Sequence, residues 1–322
     1  MNKTSIEWTD YTWNPIRARL KGQGPKVHAG TFCTRISPGC THCYASTINK
    51  RFGNGLEYTV PNLETVEFFI DEKILEEPLR RKKPTRIFVG DMFDLFHEAI
   101  PNELIARVLN VCEQASWHTF QLLTKRASRM LSFCYRNIDS RQDFPPRNVW
   151  FGVSVEDQQR ADERIPLLLQ TPAAVRWLSV EPMLEAVDLR KVQHPNANSA
   201  NALDGIFKAD GFNYCTSPLI DWVICGGESG PGARPFNLAW AESLLEQCRA
   251  AGVPFFMKQM GSNPLLHRQT SHHEERPGFK FSFRSMEFSQ NISLQDRKGG
   301  DPEEWPEHLR VREFPAERTV PA

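Results

Sequence analysis

Short apolar runs, each cut off by a polar residue or a glycine, recur along the first 260 residues. Six stand out: 86–91 (RIFVGD), 119–125 (TFQLLTK), 149–154 (VWFGVS), 175–181 (VRWLSVE), 222–228 (WVICGGE) and 254–258 (PFFMK). Near-continuous apolar runs of this length suit strands buried on both faces, as in a parallel sheet. Helical periodicity fills the gaps. Residues 102–114 place Ile105, Val108, Leu109 and Cys112 on one stripe behind Pro101. Residues 239–251 gather Leu244, Leu245, Cys248 and Ala251 ahead of Gly252, and 157–169 form a third candidate. Parallel neighbours need crossover helices, so the alternation predicts repeated βα units. With a seventh strand expected to lead into Cys33, the pattern predicts an α/β fold, a partial (β/α)6-type TIM barrel.

Two stretches break the rhythm. Residues 190–218, rich in Asn, Ala, Ser, Gly and Pro, read as an insertion loop. From about Gly261 the chain turns polar and reads as a C-terminal cap docked through Phe281, Phe283, Trp305 and Leu309. The expected division is therefore a barrel over 1–260, including an N-terminal extension, and a cap or tail over 261–322.

The chain has 322 residues, 40% of them hydrophobic and 24% charged, with a mean hydropathy of -0.46. That is enough apolar material for a large core, which excludes a disordered or fibrous chain. No stretch approaches the ~18 apolar residues of a membrane span. Glu7 and Asp10 stand where a signal peptide needs an apolar segment, so the expected location is cytoplasmic. Lysine plus arginine equal aspartate plus glutamate at 39 each, which argues against general phosphate attraction but leaves room for a local positive groove.

Eight cysteines in a cytosolic chain are expected to be reduced and available for metal or catalysis. Three of them, Cys33, Cys40 and Cys43, fall within eleven residues as C-x6-C-x2-C. Three thiolates make an incomplete tetrahedron for zinc, to be completed by His42 or a distant cysteine. They also suit a [4Fe-4S] cluster with one iron left open to a small molecule such as S-adenosylmethionine. The spacing alone leaves both open.

Further segments carry a resemblance. They are Ser5-Ile6-Glu7-Trp8-Thr9-Asp10, Thr12-Trp13-Asn14-Pro15, the cysteine loop, Asp94-Leu95-Phe96-His97 and Leu123-Thr124-Lys125-Arg126. Gly152-Val153-Ser154-Val155-Glu156, Ser179-Val180-Glu181-Pro182, Gly226-Gly227-Glu228-Ser229-Gly230 and the late run from Trp305 to Arg312 come next in order. The chain resembles the phage Gp37/Gp68 family, the DUF5131 or three-Cys-motif proteins, over nearly its whole length. The stretch from Arg17 to Gly30 departs from it, where a shorter join is expected.

The resemblance implies a radical S-adenosylmethionine (radical SAM) barrel, similar to spore photoproduct lyase in cysteine loop and fold. It implies a [4Fe-4S] cluster on Cys33, Cys40 and Cys43, and S-adenosylmethionine cleaved to a 5′-deoxyadenosyl radical that takes hydrogen from an unidentified substrate. Nucleic acid is one candidate. The implied cofactor contacts are Tyr44 beside the adenine, Lys125 on the methionine carboxylate and Ser154 as a hydrogen-bonding group. Glu156 and Glu181 are candidates for the ribose hydroxyls, or for ion pairs with arginines such as Arg126 or Arg176. Glu228 lies in a Gly-Gly-Glu resembling the ammonium-binding motif, but after the wrong strand, so Asp91 is preferred for that role. Cys225 is the candidate hydrogen-atom donor, with an inert buried thiol as the plainer reading. Asp94 and His97 are candidates for the substrate pocket, and Arg80 to Lys83 with Lys125, Arg126 and Arg129 for a nucleic-acid groove. A reductant such as flavodoxin or ferredoxin is the implied partner. The competing expectation is a non-catalytic phage accessory protein, stabilised by zinc or iron-sulfur and binding nucleic acid.

Overall fold

The computed structural model describes residues 1–22, 29–138, 144–194, 197–209, 212–215, 219–270 and 286–316. One eight-stranded sheet organises the chain, and its spatial order is its sequence order. The strands are β1 (Asn2–Lys3), β2 (Tyr11–Trp13), β3 (Arg86–Val89), β4 (Thr119–Thr124), β5 (Val149–Ser154), β6 (Val175–Val180), β7 (Trp222–Gly226) and β8 (Phe255–Gln259). Strands β2 to β8 run parallel and only β1 is antiparallel. All six expected runs form strands. The result is a mixed α/β architecture around an open, curled half-barrel.

Among the described residues, the helices longer than four residues are α1 (Tyr44–Phe52), α2 (Asn102–Gln114), α3 (Ala127–Ile138), α4 (Gln158–Gln170) and α5 (Leu238–Ala251). The three predicted ones appear within a residue of their expected bounds. Asp157 caps α4 by accepting from the Arg160 amide at 2.8 Å. Helix α3 is not among the predicted ones, although Met130, Phe133 and Cys134 form a buried stripe along it.

Strand alternation gives the sheet two unlike faces. Ile87, Val89, Phe120, Leu122, Phe151, Val153, Leu178, Val180, Val223 and Cys225 point to the helix-packed side and share its core. Phe88, Trp150, Trp177, Trp222, Ile224 and Phe256 point to the concave side, where Trp8 joins them from the N-terminal segment. Trp8 lies 4.8 Å from Phe88 and 5.2 Å from Trp177, ring centre to ring centre. Gly152 makes room for the Trp177 ring, which a Cβ there would overlap. The lower lumen is therefore a solid aromatic plug.

Residues 311–313 run antiparallel along the free edge of β8, through Met257 N to Val311 O (2.8 Å) and Glu313 N to Phe255 O (2.9 Å). This covers an edge that would otherwise be open to pairing with another chain. Phe314 then reaches under the plug, 5.4 Å from Trp222, with the Arg86 guanidinium 4.3 Å above its ring.

Several expectations need correction. The seventh parallel strand is β2, because residues 29–37 run without strand structure into the cysteine loop. Within 17–30, the described part up to Leu20 belongs to an antiparallel pair of Ile16–Leu20 with Val66–Ile70. The 190–218 stretch is no plain loop, since its described residues form a four-stranded antiparallel meander. Trp305 and Leu309 are buried as expected, whereas Phe281 and Phe283 lie outside the described residues. Among the described residues, no helix is long and apolar enough to cross a membrane.

Candidate active site at the strand ends

Above the aromatic plug the concave face turns polar. Lys125 follows β4 and donates from Nζ to Ser154 Oγ on β5 at 3.1 Å. Glu181 follows β6 and meets Lys258 Nζ of β8 at 2.5 Å. Asp91 follows β3 and accepts from Asn14 Nδ2 at 2.6 Å, while burial pushes its carboxyl above the usual range. Tyr44, the first residue of α1, donates its hydroxyl to the Asp91 carbonyl at 2.6 Å. Five of the residues expected at the site thus share one mouth: Tyr44, Asp91, Lys125, Ser154 and Glu181.

The cysteine loop lies over this mouth and is held by two buried carboxylates. Glu156 is fully buried, taking Arg164 Nη1 at 2.8 Å on one oxygen and Ser37 Oγ on the other. Lys125 Nζ stands 3.8 Å away. Against the penalty of burial, Lys125, Arg164 and Ser37 hold its pKa below the ordinary value. Gly39 sits directly on this carboxylate, and a Cβ there would overlap Glu156 Cγ. Glu228 grips the far side of the loop. It pairs with Arg234 at 2.6 Å and with His42 Nδ1 at 2.9 Å, while Arg234 Nη1 donates to Pro38 O at 2.9 Å. These partners overcome burial and hold Glu228 down to about 2. Glu156 was a candidate for the ribose or for an ion pair, and Glu228 a less favoured candidate for the methionine ammonium; in the structure the oxygens of both are committed to positioning the loop. Glu156 does form an ion pair, with Arg164 and Lys125 rather than Arg126 or Arg176.

A third anchor was expected in a basic cluster or as an ion-pair partner of Glu156 or Glu181. Arg126 is buried and donates to Asp94 Oδ2 (3.1 Å), Glu98 Oε2 (2.7 Å), Thr34 O (3.1 Å) and Thr34 Oγ1 (2.9 Å), with Nη1 3.7 Å from Cys33 Sγ. Asp94 also accepts from Thr124 Oγ1 (2.7 Å) and the Lys125 amide (3.1 Å). His97 accepts the Ala99 amide on Nδ1 at 3.1 Å, so its Nε2–H donates to Thr34 Oγ1 at 2.9 Å. Burial pushes its pKa down to about 4 and keeps the ring neutral. Asp94 and His97 therefore support the loop from below, where a pocket-lining role was expected.

The three thiols carry no disulfide. Burial pushes Cys33 up to about 12 against the pull of Arg126, and charge on Cys40 or Cys43 raises it further. Among the described residues, no three His, Cys, Asp or Glu side chains converge as a preformed site for a metal ion. His42, one of the two candidates for a fourth zinc ligand, is turned to Glu228. The donor set nevertheless fits an iron-sulfur cluster. It offers three thiols free of disulfides on one clamped loop, and a buried guanidinium beside Cys33 to offset thiolate charge.

Cys225 does not join the mouth. Alternation along β7 turns it to the helix-packed core, where it is fully buried with Sγ 3.8 Å from Met183 Sδ. The expected basic groove also divides. Arg81 and Lys82 precede β3, at the opposite end of the strands, and stack on Tyr11 and Trp117. Arg129 is tied to the carbonyls of His97, Glu98 and Ile100. An open cavity of about 690 Å³ beside the Glu228 clamp, bordered by Ser229, Ser262, Arg297 and Lys298, contains none of the mouth residues.

A half-barrel with a clamped cysteine loop over its polar strand ends defines the class of molecule. The chain belongs to the family described as Protein of unknown function (DUF5131), which matches residues 3–289. No curated protein and no solved structure matches it.

Proposed function

We propose that the chain is a radical S-adenosylmethionine enzyme whose Cys33, Cys40 and Cys43 hold a [4Fe-4S] cluster. One observation carries the reading: three thiols on a loop anchored at Glu156, Glu228 and Arg126, directly over the polar ends of a parallel half-barrel. When bound, such a cluster supplies the electron that splits S-adenosylmethionine into methionine and a 5′-deoxyadenosyl radical, which takes a hydrogen atom from the substrate. The protein's own residues bind and enclose. Lys125 offers a cation to the methionine carboxylate, Asp91 an acceptor to its ammonium, and Ser154 a further hydrogen bond. Glu181, paired with Lys258, presents its remaining acceptor capacity to the ribose, and Tyr44 offers a ring face to the adenine. The plug of Trp8, Trp150, Trp177 and Trp222 keeps water from reaching the mouth from below.

Anaerobic reconstitution with iron and sulfide tests this. The expected result is a brown protein with about four irons per chain, forming 5′-deoxyadenosine on addition of dithionite and S-adenosylmethionine. A colourless protein that takes up zinc and leaves S-adenosylmethionine intact overturns it.

A further inference from the structure

The anchors of the cysteine loop differ in what they present to the sulfurs. Lys125 and Arg164 face Glu156, and Arg234 faces Glu228. Ser37 Oγ lies 3.7 Å from Cys40 Sγ, but its one hydrogen goes to Glu156, so it has none to donate to that sulfur. Arg126 is the exception. A guanidinium carries five N–H groups. Four of them meet Glu98, Asp94 and the two oxygens of Thr34, and the last, on Nη1, is directed at Cys33 Sγ, 3.7 Å away. Among the described residues, no other N–H is directed at a sulfur of this loop. The Arg126 side chain is only 3% exposed, so water screens it little. Burial raises the Cys33 thiol, and of the charges acting on it the Arg126 guanidinium is the strongest, ahead of Asp94 and the other two cysteines. Two carboxylates oppose that cation. Asp94 is buried, whereas the Glu98 side chain is 64% exposed and bonds Nε at 2.7 Å.

We propose that Arg126 sets the reduction potential of the iron-sulfur site through its N–H···S contact with Cys33, and that Glu98 moderates this from the solvent side. Taking up one electron adds a negative charge that the cysteine sulfurs share. A fixed donor and cation at one sulfur therefore stabilise the reduced form more than the oxidised form. The potential rises, and a weaker one-electron donor suffices. Glu98 offsets part of the same cation, so removing its charge raises the potential further. Arg126 touches neither S-adenosylmethionine nor substrate in this role; it is a positioning residue that acts through Cys33. The role rests on the [4Fe-4S] reading and adds to it the residue that governs electron entry.

The test is potentiometry of the reconstituted full chain. Dithionite supplies the electron, electron paramagnetic resonance counts the reduced cluster, and iron and sulfide are measured in each preparation. At the potential that half-reduces the wild type, Arg126→Met is expected to lower the reduced-to-oxidised ratio about tenfold, which is about 59 mV for one electron. Glu98→Gln is expected to raise that ratio about threefold, the smaller change reflecting its exposure. Thr34→Val removes the hydroxyl that Arg126 and His97 share but leaves the guanidinium on the sulfur. Its melting temperature is expected to fall while the ratio stays at the wild-type value. A merely structural role for Arg126 does not move the two charge variants in opposite directions. An unchanged ratio in Arg126→Met, a Glu98→Gln shift of the same sign as that of Arg126→Met, or a Thr34→Val shift as large overturns the proposal. If Arg126→Met holds too little iron to measure, Glu98→Gln decides alone, and an unchanged or lowered ratio there overturns it. A wild-type chain that takes up no cluster retires the radical reading and this role together. Loaded variants that share one potential retire this role and leave that reading intact.

Discussion

Arg126→Met is the most informative single perturbation of the loop anchors. The guanidinium is buried and bonds Asp94, Glu98 and both oxygens of Thr34. Glu98 is exposed, so its share of the stability is small. Asp94 is buried, and losing its cation leaves a charge without a counter-ion, which costs about 3–5 kcal/mol. Asp94 retains Thr124 Oγ1 and two backbone amides as donors, which places the expected loss near the lower limit, about 3 kcal/mol. At roughly 2 °C per kcal/mol for a chain of this size, the midpoint falls by about 6 °C. Urea unfolding of metal-free protein, followed by tryptophan fluorescence, reads the change without any contribution from a cofactor. Adding Asp94→Asn removes the stranded charge and is expected to restore more than half of the loss. A single-variant effect below about 1 kcal/mol, typical of an exposed pair, or a double variant no more stable than the single one, refutes the argument.

The same contacts set other expected outcomes. Glu228 titrates near 2 in the folded chain against an ordinary 4.5, so its contribution is fully present above 4.5 and is lost as pH falls toward 2. Glu228→Gln should flatten acid unfolding across that window. His97 is neutral down to about 4 against an ordinary 6.5, so stability falls as pH drops from 6.5 to 4. His97→Gln should remove that part of the slope in a pH series of melting curves. Gly39→Ala drives a methyl group into Glu156 and is expected to cost about 1–3 kcal/mol, with iron uptake of the loop reduced in the same preparation. Cys225→Ala leaves 5′-deoxyadenosine formation at the wild-type rate, because the thiol faces the helix-packed core; a large loss of product would return it to the mouth.

The parallel strands were legible because burial on both faces leaves continuous apolar runs, and such runs need no knowledge of partners. The cysteine loop was legible from spacing. The roles of Glu156 and Glu228 were not, because a carboxylate after a strand looks alike whether it faces a ligand or an arginine. Their partners are Arg164, inside the predicted helix α4, and Arg234, in a loop, and neither segment's pattern says which carboxylate its arginine meets. Cys225 takes the plainer of its two readings, an inert buried thiol, and the choice between them was not legible for a different reason. In a strand buried on both faces, apolar pattern does not say which side is concave, and only the pairing register decides. The 190–218 meander was hidden because its strands are only three to five residues long and stand among Asn, Ser, Gly and Pro. β2 was missed because it has only three residues.

In the proposed function, three cysteine thiols leave one iron of a cluster open to S-adenosylmethionine. Electron paramagnetic resonance of the dithionite-reduced, reconstituted protein tests it most directly. The expected result is a [4Fe-4S]⁺ signal whose g-values shift when S-adenosylmethionine is added, and which is absent from a Cys40→Ala variant. A reduced-cluster signal that S-adenosylmethionine leaves unchanged, or one that survives the loss of Cys40, contradicts it.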